Sequence, residues 1–173
     1  RRMTKRSGRA ALAAAALLSV GAASGDPLQE TKRALDEGRL DDVYLALESV
    51  KPGAHPAGDA AVAAVLCDAA EKALEANDPT LALAMTDVAQ RIEPKSVRAL
   101  LVNATAAEAL EQRSDAESSL EKAVRLAPGD GEVLWRRAAF AEAEGELEKA
   151  RTLFGKVPAK HPRGPAAKEK VQA

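Results

Sequence analysis

The stretch AAVLCDAAEKALEANDPTLALAMTDVAQRIEPKS at residues 63–96 is followed by two stretches of equal length, VRALLVNATAAEALEQRSDAESSLEKAVRLAPGD at 97–130 and GEVLWRRAAFAEAEGELEKARTLFGKVPAKHPRG at 131–164. Each stretch has 34 residues and carries a proline at the same position, and each has an alanine twelve residues before that proline. A fixed period of this length predicts stacked helical hairpins. The prolines are Pro94, Pro128 and Pro162, and the alanines are Ala82, Ala116 and Ala150.

The composition independently predicts an all-α fold. Of the 173 residues, 46% are apolar but only 2% are aromatic. The apolar content therefore consists largely of alanine and leucine, which favour helices, while the residues that strands prefer are scarce. A chain of this length normally forms one domain.

Turn and cap residues recur at matching places of the period. Asp78 before Pro79 predicts an N-cap followed by proline at the first helical position. Ser114–Glu117 has the pattern of a capping box, and Asp130 is a further N-cap candidate. Gly145 can adopt the left-handed conformation that ends one helix before the next begins.

With these small residues, turns and prolines in fixed order, the chain resembles the tetratricopeptide repeat (TPR) family. The resemblance implies a right-handed solenoid of helical hairpins with about three good units, at 63–96, 97–130 and 131–164. Thr86, where the family has a bulky residue, and Arg137, where it has leucine, depart from the pattern. The family's small residues match Ala70, Ala104 and Ala138 on the first helices and Ala82, Ala116 and Ala150 on the second.

We divide the chain into four segments. Residues 1–25 are predicted to be a signal peptide, 26–58 a degenerate helical hairpin with a linker, and 59–164 the TPR array. Residues 165–173 are either a short C-terminal capping helix or a truncated continuation of the array. Atypical end units are expected because each repeat buries its apolar face only against its neighbours.

The N-terminal segment has the three parts of a secretory signal peptide. A head with five basic residues and no acidic one leads into the apolar stretch 10–20, and small residues follow. Eleven apolar residues are too few to span a bilayer, which takes about 20. We expect cleavage between Ala22 and Asp26 and export to the bacterial periplasm or cell envelope. The alternative is an amphipathic or frayed N-terminal arm, and the sequence does not decide between Sec and twin-arginine export.

Charge argues against nucleic acid as a partner. Without the five basic residues of the leader, 20 basic residues face 26 acidic ones, a net charge near −6. Nucleic-acid affinity depends on neutralising phosphates with lysine and arginine. We therefore expect a protein or peptide partner.

The sequence predicts no enzyme, metal site or cofactor. Glycine-rich phosphate loops, nucleophile turns and paired cysteines are missing. His55 and His161 each precede a proline and have no second ligand at a spacing that would place both on one helix face. Cys67 is either a buried small residue or a free thiol that could couple two chains.

In proteins that this chain resembles, the first helices line a concave peptide-binding face. When the family's concave-face positions are transferred to this sequence, Cys67, Leu101 and Trp135 form an apolar stripe. Glutamates border the stripe, with a single arginine among them. Such a face suits a cationic, partly apolar segment. The residues predicted to form it are Cys67, Glu71, Leu74, Glu75, Arg98, Leu101, Thr105, Glu108, Glu132, Trp135 and Glu142.

The functional expectation is an exported, non-catalytic adaptor or scaffold. The main alternative is a self-assembling structural protein of the envelope, because unfinished repeat ends and an unpaired Cys67 can both promote contacts between chains. A more distant alternative is a regulatory subunit of an enzyme complex.

Overall fold

A computed structural model describes residues 26–172, and every regular element within that range is an α-helix, as the sequence predicts. The chain forms two compact units, one up to Glu111 and one from Gln112. The predicted signal peptide lies outside the described residues. In chain order the helices are α1 (Pro27–Asp36), α2 (Leu40–Ser49), α3 (Asp59–Glu75), α4 (Pro79–Ile92), α5 (Val97–Ala109), α6 (Arg113–Leu126), α7 (Gly131–Ala143), α8 (Leu147–Phe154) and α9 (Gly164–Gln172).

The N-terminal unit contains α1–α5. Helix α1 packs on α2, and α4 packs on α2, α3 and α5. Ala70 of α3 and Ala82 of α4 are fully buried, and larger residues such as Leu66 and Met85 fill the core beside them. Small residues let two helix axes approach to about 8–10 Å, so the alanines supply the clearance that the pattern predicts.

The C-terminal unit contains α6–α9, which pack in sequence, each on the next. Its apolar cluster is dominated by alanines, among them Ala138 and Ala150, with Leu134 and Phe154 as its large buried members. No helix among residues 26–172 has the length and apolar character needed to cross a membrane.

One turn recurs with the predicted period. Asn77, Glu111 and Gly145 lie 34 residues apart and have φ values of 57°, 59° and 78°. Glycine adopts this left-handed conformation freely, asparagine tolerates it, and glutamate is strained in it. The prediction for Gly145 is confirmed, and Glu111 is the least favourable residue of the three.

Most of the predicted helix starts are correct. The carboxylate of Asp78 accepts a hydrogen bond from the Leu81 N–H at 3.2 Å, and that of Asp130 accepts from the Glu132 and Val133 N–H groups at 2.9 and 3.0 Å. The capping box at Ser114–Glu117 is wrong. Helix α6 already begins at Arg113, because the carbonyl of Gln112 accepts the first helical hydrogen bond.

Buried hydrogen bonds explain how a threonine can stand at position 86 in the core. Its hydroxyl lies 3.0 Å from the Ala82 carbonyl and accepts a hydrogen bond from the Asn103 amide, also at 3.0 Å. The same amide donates to Asp87 at 2.9 Å. A hydrogen-bonded link between α4 and α5 therefore stands where the family has a bulky apolar residue.

Candidate functional site

The predicted concave-face residues belong to both units, and each group is described by itself. Helices α3 and α5 of the N-terminal unit carry Cys67, Glu71, Leu74, Glu75, Arg98, Leu101, Thr105 and Glu108. Helix α7 of the C-terminal unit carries Glu132, Trp135 and Glu142.

In the N-terminal unit, Arg98 joins α5 to α3. Its guanidinium lies 2.7 Å from a carboxylate oxygen of Glu71 and 2.6 Å from one of Asp68. Hydrogen bonding to Glu71 and Asp68 raises the pKa of Arg98 above its ordinary value. The one arginine of the predicted face is therefore already paired with two carboxylates of its own chain.

The exposed apolar surface of this group is small. Leu101 is partly exposed, and Leu74 packs at the edge of the core. The Thr105 hydroxyl donates to the Leu101 carbonyl at 3.0 Å, which directs it back onto its own helix. Glu75 and Glu108 are exposed. These helices therefore offer two partly exposed leucines, Leu74 on α3 and Leu101 on α5, and the exposed carboxylates of Glu75 and Glu108.

Cys67 does not belong to the accessible surface. Its relative exposure is 0%, and it is part of the apolar core of the N-terminal unit. The pKa of its thiol is raised to about 11, mainly because the side chain is buried. The inclusion of Cys67 in the predicted ligand-contacting face is corrected here, and the alternative of a buried small residue agrees with the structure.

We expect Cys67 to resist alkylation in the folded protein and to react once the chain unfolds, because the thiolate is the nucleophile. Its pKa is higher in the folded state than the ordinary value of 9.0. The stabilisation from the protonated thiol is thus fully present below pH 9 and is lost as the pH rises towards 11. Urea titrations should show a loss of about 1 kcal/mol near pH 10 that Cys67→Ala does not share. Rapid native labelling at pH 8 would contradict this burial.

In the C-terminal unit, Trp135 packs inward and leaves part of its ring exposed. Its ring centroid lies 5.1 Å from that of Phe154 in an edge-on arrangement. The guanidinium of Arg163, from the segment before α9, lies 5.2 Å from the Trp135 ring centroid. Trp135 therefore combines core packing with a face that already holds a cation.

Two glutamates beside Trp135 are paired with the C-terminal segment. Arg163 lies 3.2 Å from Glu132, and Lys170 lies 2.8 Å from Glu142. The sequence analysis did not predict these pairs. One signal was available, since Ala167 and Val171 are spaced to share one apolar helix face between the basic residues.

The histidines lie in polar contacts with carboxylates. His55 Nε2 lies 3.0 Å from the buried Asp26, whose other oxygen caps α1 by accepting from the Leu28 N–H. His161 Nε2 lies 3.9 Å from Glu132. Among residues 26–172 there is no group of three or more histidine, cysteine or acidic side chains that could hold a metal ion.

Comparison with known proteins agrees with this architecture. Residues 107–173 match the family model of the tetratricopeptide repeat. The structure is similar to a crystal structure of MamA, with a TM-score of 0.57 and 16% identity over 82% of this chain and 80% of that chain. A second crystal structure of MamA gives a TM-score of 0.57 and 15% identity over 84% of this chain and 76% of that chain. At such identities the likeness shows the fold, and the predicted helical solenoid is confirmed. None of the curated proteins compared with this chain matches it.

Proposed function

We propose that this chain is a non-catalytic, exported adaptor that binds a basic, partly apolar segment of another protein. The surfaces concerned are those around Leu101 in the N-terminal unit and Trp135 in the C-terminal unit. The TPR fold supports a protein-interaction scaffold, because stacked repeats present extended surfaces for binding. Export rests on the leader-like composition of residues 1–25.

The observation that carries the ligand chemistry is the contact of Arg163 with Trp135 and Glu132. A cation that stands over an aromatic face is attracted by the ring quadrupole, and a neighbouring carboxylate adds to that attraction. The chain thereby supplies an example of the group that this surface accepts, an arginine followed by small apolar residues and a lysine.

The surface on α3 and α5 supports the same ligand class. Leu101 is the residue one period before Trp135, and it is likewise partly exposed. The exposed carboxylate of Glu75 lies on α3, the helix that carries Leu74. A segment with lysine or arginine beside an apolar anchor would bury the leucines and pair with the carboxylate.

The test is co-purification from the native cell envelope after crosslinking, with identification by mass spectrometry. The double variant Leu101→Glu, Trp135→Ala should reduce recovery of the bound proteins by at least about tenfold, since anchors of this kind dominate binding energies. Crosslinked segments should contain lysine or arginine beside apolar residues.

Leu45→Glu, Leu147→Ala is the matched control, because these leucines are 64% and 65% exposed and lie outside the predicted face. It should leave recovery unchanged, and circular dichroism should show that both variants are folded. If the partners persist with the first variant, the proposed surfaces do not bind them. Recovery of the chain alone would instead favour self-assembly.

A further inference from the structure

We propose that a second surface, the groove between α8 and α9, binds an amphipathic helix with acidic flanks from a partner protein. The groove has a volume of about 480 Å³. Its apolar lining includes Phe154, Val157, Pro165 and Val171, and Lys168 is the only charged residue in the lining. It lies within the C-terminal unit and contains none of the residues of the predicted concave face, although its Phe154 packs against the ring of Trp135.

The N-terminal unit shows what kind of element such a groove accepts. Helices α2 and α3 follow each other in the chain as α8 and α9 do. There α4 packs against both helices. Arg91 of α4 also donates hydrogen bonds to the carbonyls of Leu47 and Val50, at 3.1 Å each. In the N-terminal unit a helix thus packs on both of two successive helices, and by analogy we expect a helix to cover the groove between α8 and α9.

The charges around the groove indicate which charges the bound helix should carry. Lys156 and Lys160 are exposed and adjoin the lining residues Val157 and Ala159 in the chain, and Lys168 is exposed on α9. None of the three has an ion pair or hydrogen bond to any residue between 26 and 172. Glu169 is also on α9 but does not line the groove. The local excess of unpaired lysines favours glutamate or aspartate on the flanks of the bound helix.

The other basic residues of this region are already engaged. Arg163 and Lys170 pair with Glu132 and Glu142, and the Arg151 Nε–H donates to the Val171 carbonyl at 2.7 Å. Without the predicted leader the net charge of the chain is near −6, so the overall field opposes the binding of an acidic helix. Its attraction must come from the three lysines together with the apolar groove.

The probe is a labelled synthetic peptide with leucines at helical spacing i, i+3, i+4 and i+7 and glutamates on both flanks. A second peptide keeps the leucines and replaces each glutamate with lysine. Fluorescence anisotropy should show the acidic peptide binding at least about tenfold more tightly than the basic one, a difference of about 1.4 kcal/mol. In the double variant Lys156→Glu, Lys168→Glu, the basic peptide should bind more tightly than the acidic one.

Gly155→Leu tests the position of the site. A Cβ at Gly155 would lie 3.8 Å from the Val171 side chain and no closer than 3.5 Å to the other neighbouring atoms considered. The Cβ therefore makes only ordinary van der Waals contacts, and the rest of a leucine side chain should fill part of the groove and weaken binding of the acidic peptide by at least about tenfold. Gly129→Leu is the control, since a Cβ at Gly129 meets nothing within 4 Å. It should bind the peptide as the wild type does.

Three results would overturn the proposal: equal binding of both peptides, undiminished binding by Gly155→Leu, or no binding of the acidic peptide. A mass that rises with concentration in the wild type and not in Gly155→Leu would assign the groove to a second copy of the chain. Recovery of proteins whose binding depends on Leu101 and Trp135 should not change in Gly155→Leu, which separates this proposal from the adaptor function.

Discussion

Replacing Phe154 with alanine should lower the free energy of unfolding of the C-terminal unit by about 3 to 5 kcal/mol. The Phe154 side chain is 2% exposed and belongs to an apolar cluster whose other members are mostly alanines. Its ring also meets the edge of Trp135 at 5.1 Å between centroids. Small neighbours cannot fill the space that the ring leaves, so the cost of the cavity adds to the lost burial. Urea unfolding followed by the fluorescence of the chain's single tryptophan would measure the change locally.

Leu147→Ala is the matched control for Phe154→Ala. Leu147 begins the same helix but is 65% exposed, so truncating it removes little buried area. We expect a change within about 0.5 kcal/mol. Equal effects of the two substitutions would show that Phe154 does not hold the C-terminal unit together.

The period of the sequence was sufficient to predict the fold. The recurring prolines and alanines placed the helices of the three repeats. Asp78, Asp130 and Gly145 were predictable because a cap or a left-handed turn depends on local chemistry. Ser114 was misassigned because the left-handed turn at Glu111 starts the helix earlier than the capping pattern suggests.

The candidate surfaces were predictable only in part, since exposure and pairing depend on neighbouring helices. Transfer by position placed Trp135 and Glu142 on α7, but it did not show that Arg163 and Lys170 would reach them. Cys67 was placed on the face although neighbouring helices bury it completely. Ion pairs between residues 28 to 31 positions apart leave no periodic signal in one sequence.

The second large effect on stability concerns Arg137, whose charged side chain is buried. Its side chain is 3% exposed, and its Nη2 lies 2.7 Å from Glu117 and 3.6 Å from Glu121 of α6. The buried Nη1 has no hydrogen-bond partner among the residues that the structure describes. The guanidinium also lies 5.6 Å from the ring centroid of Phe140. The cation is therefore compensated chiefly by two glutamates that remain partly exposed to solvent.

Removing the compensating charges should cost much more than removing the arginine. Glu117→Gln, Glu121→Gln should lower the free energy of unfolding by about 3 kcal/mol, because it leaves a buried guanidinium without a counter-charge. We place this at the lower end for broken buried pairs because water reaches both glutamates. Arg137→Leu should instead raise stability by about 1 kcal/mol, since an apolar residue of the family pattern replaces a buried ion pair.

The opposite signs distinguish buried charge from ordinary surface pairing. Adding Arg137→Leu to the double glutamine variant should restore its stability, because no uncompensated cation then remains. Glu144→Gln is the control: Glu144 lies 3.4 Å from Arg113, which is largely exposed, and its loss should change stability by less than about 0.5 kcal/mol. All four variants can be compared by urea unfolding with Trp135 fluorescence. Two outcomes would contradict this account: a lower free energy of unfolding in Arg137→Leu, or a double glutamine variant as stable as Glu144→Gln. Either would show that the guanidinium is hydrated and that its burial costs nothing.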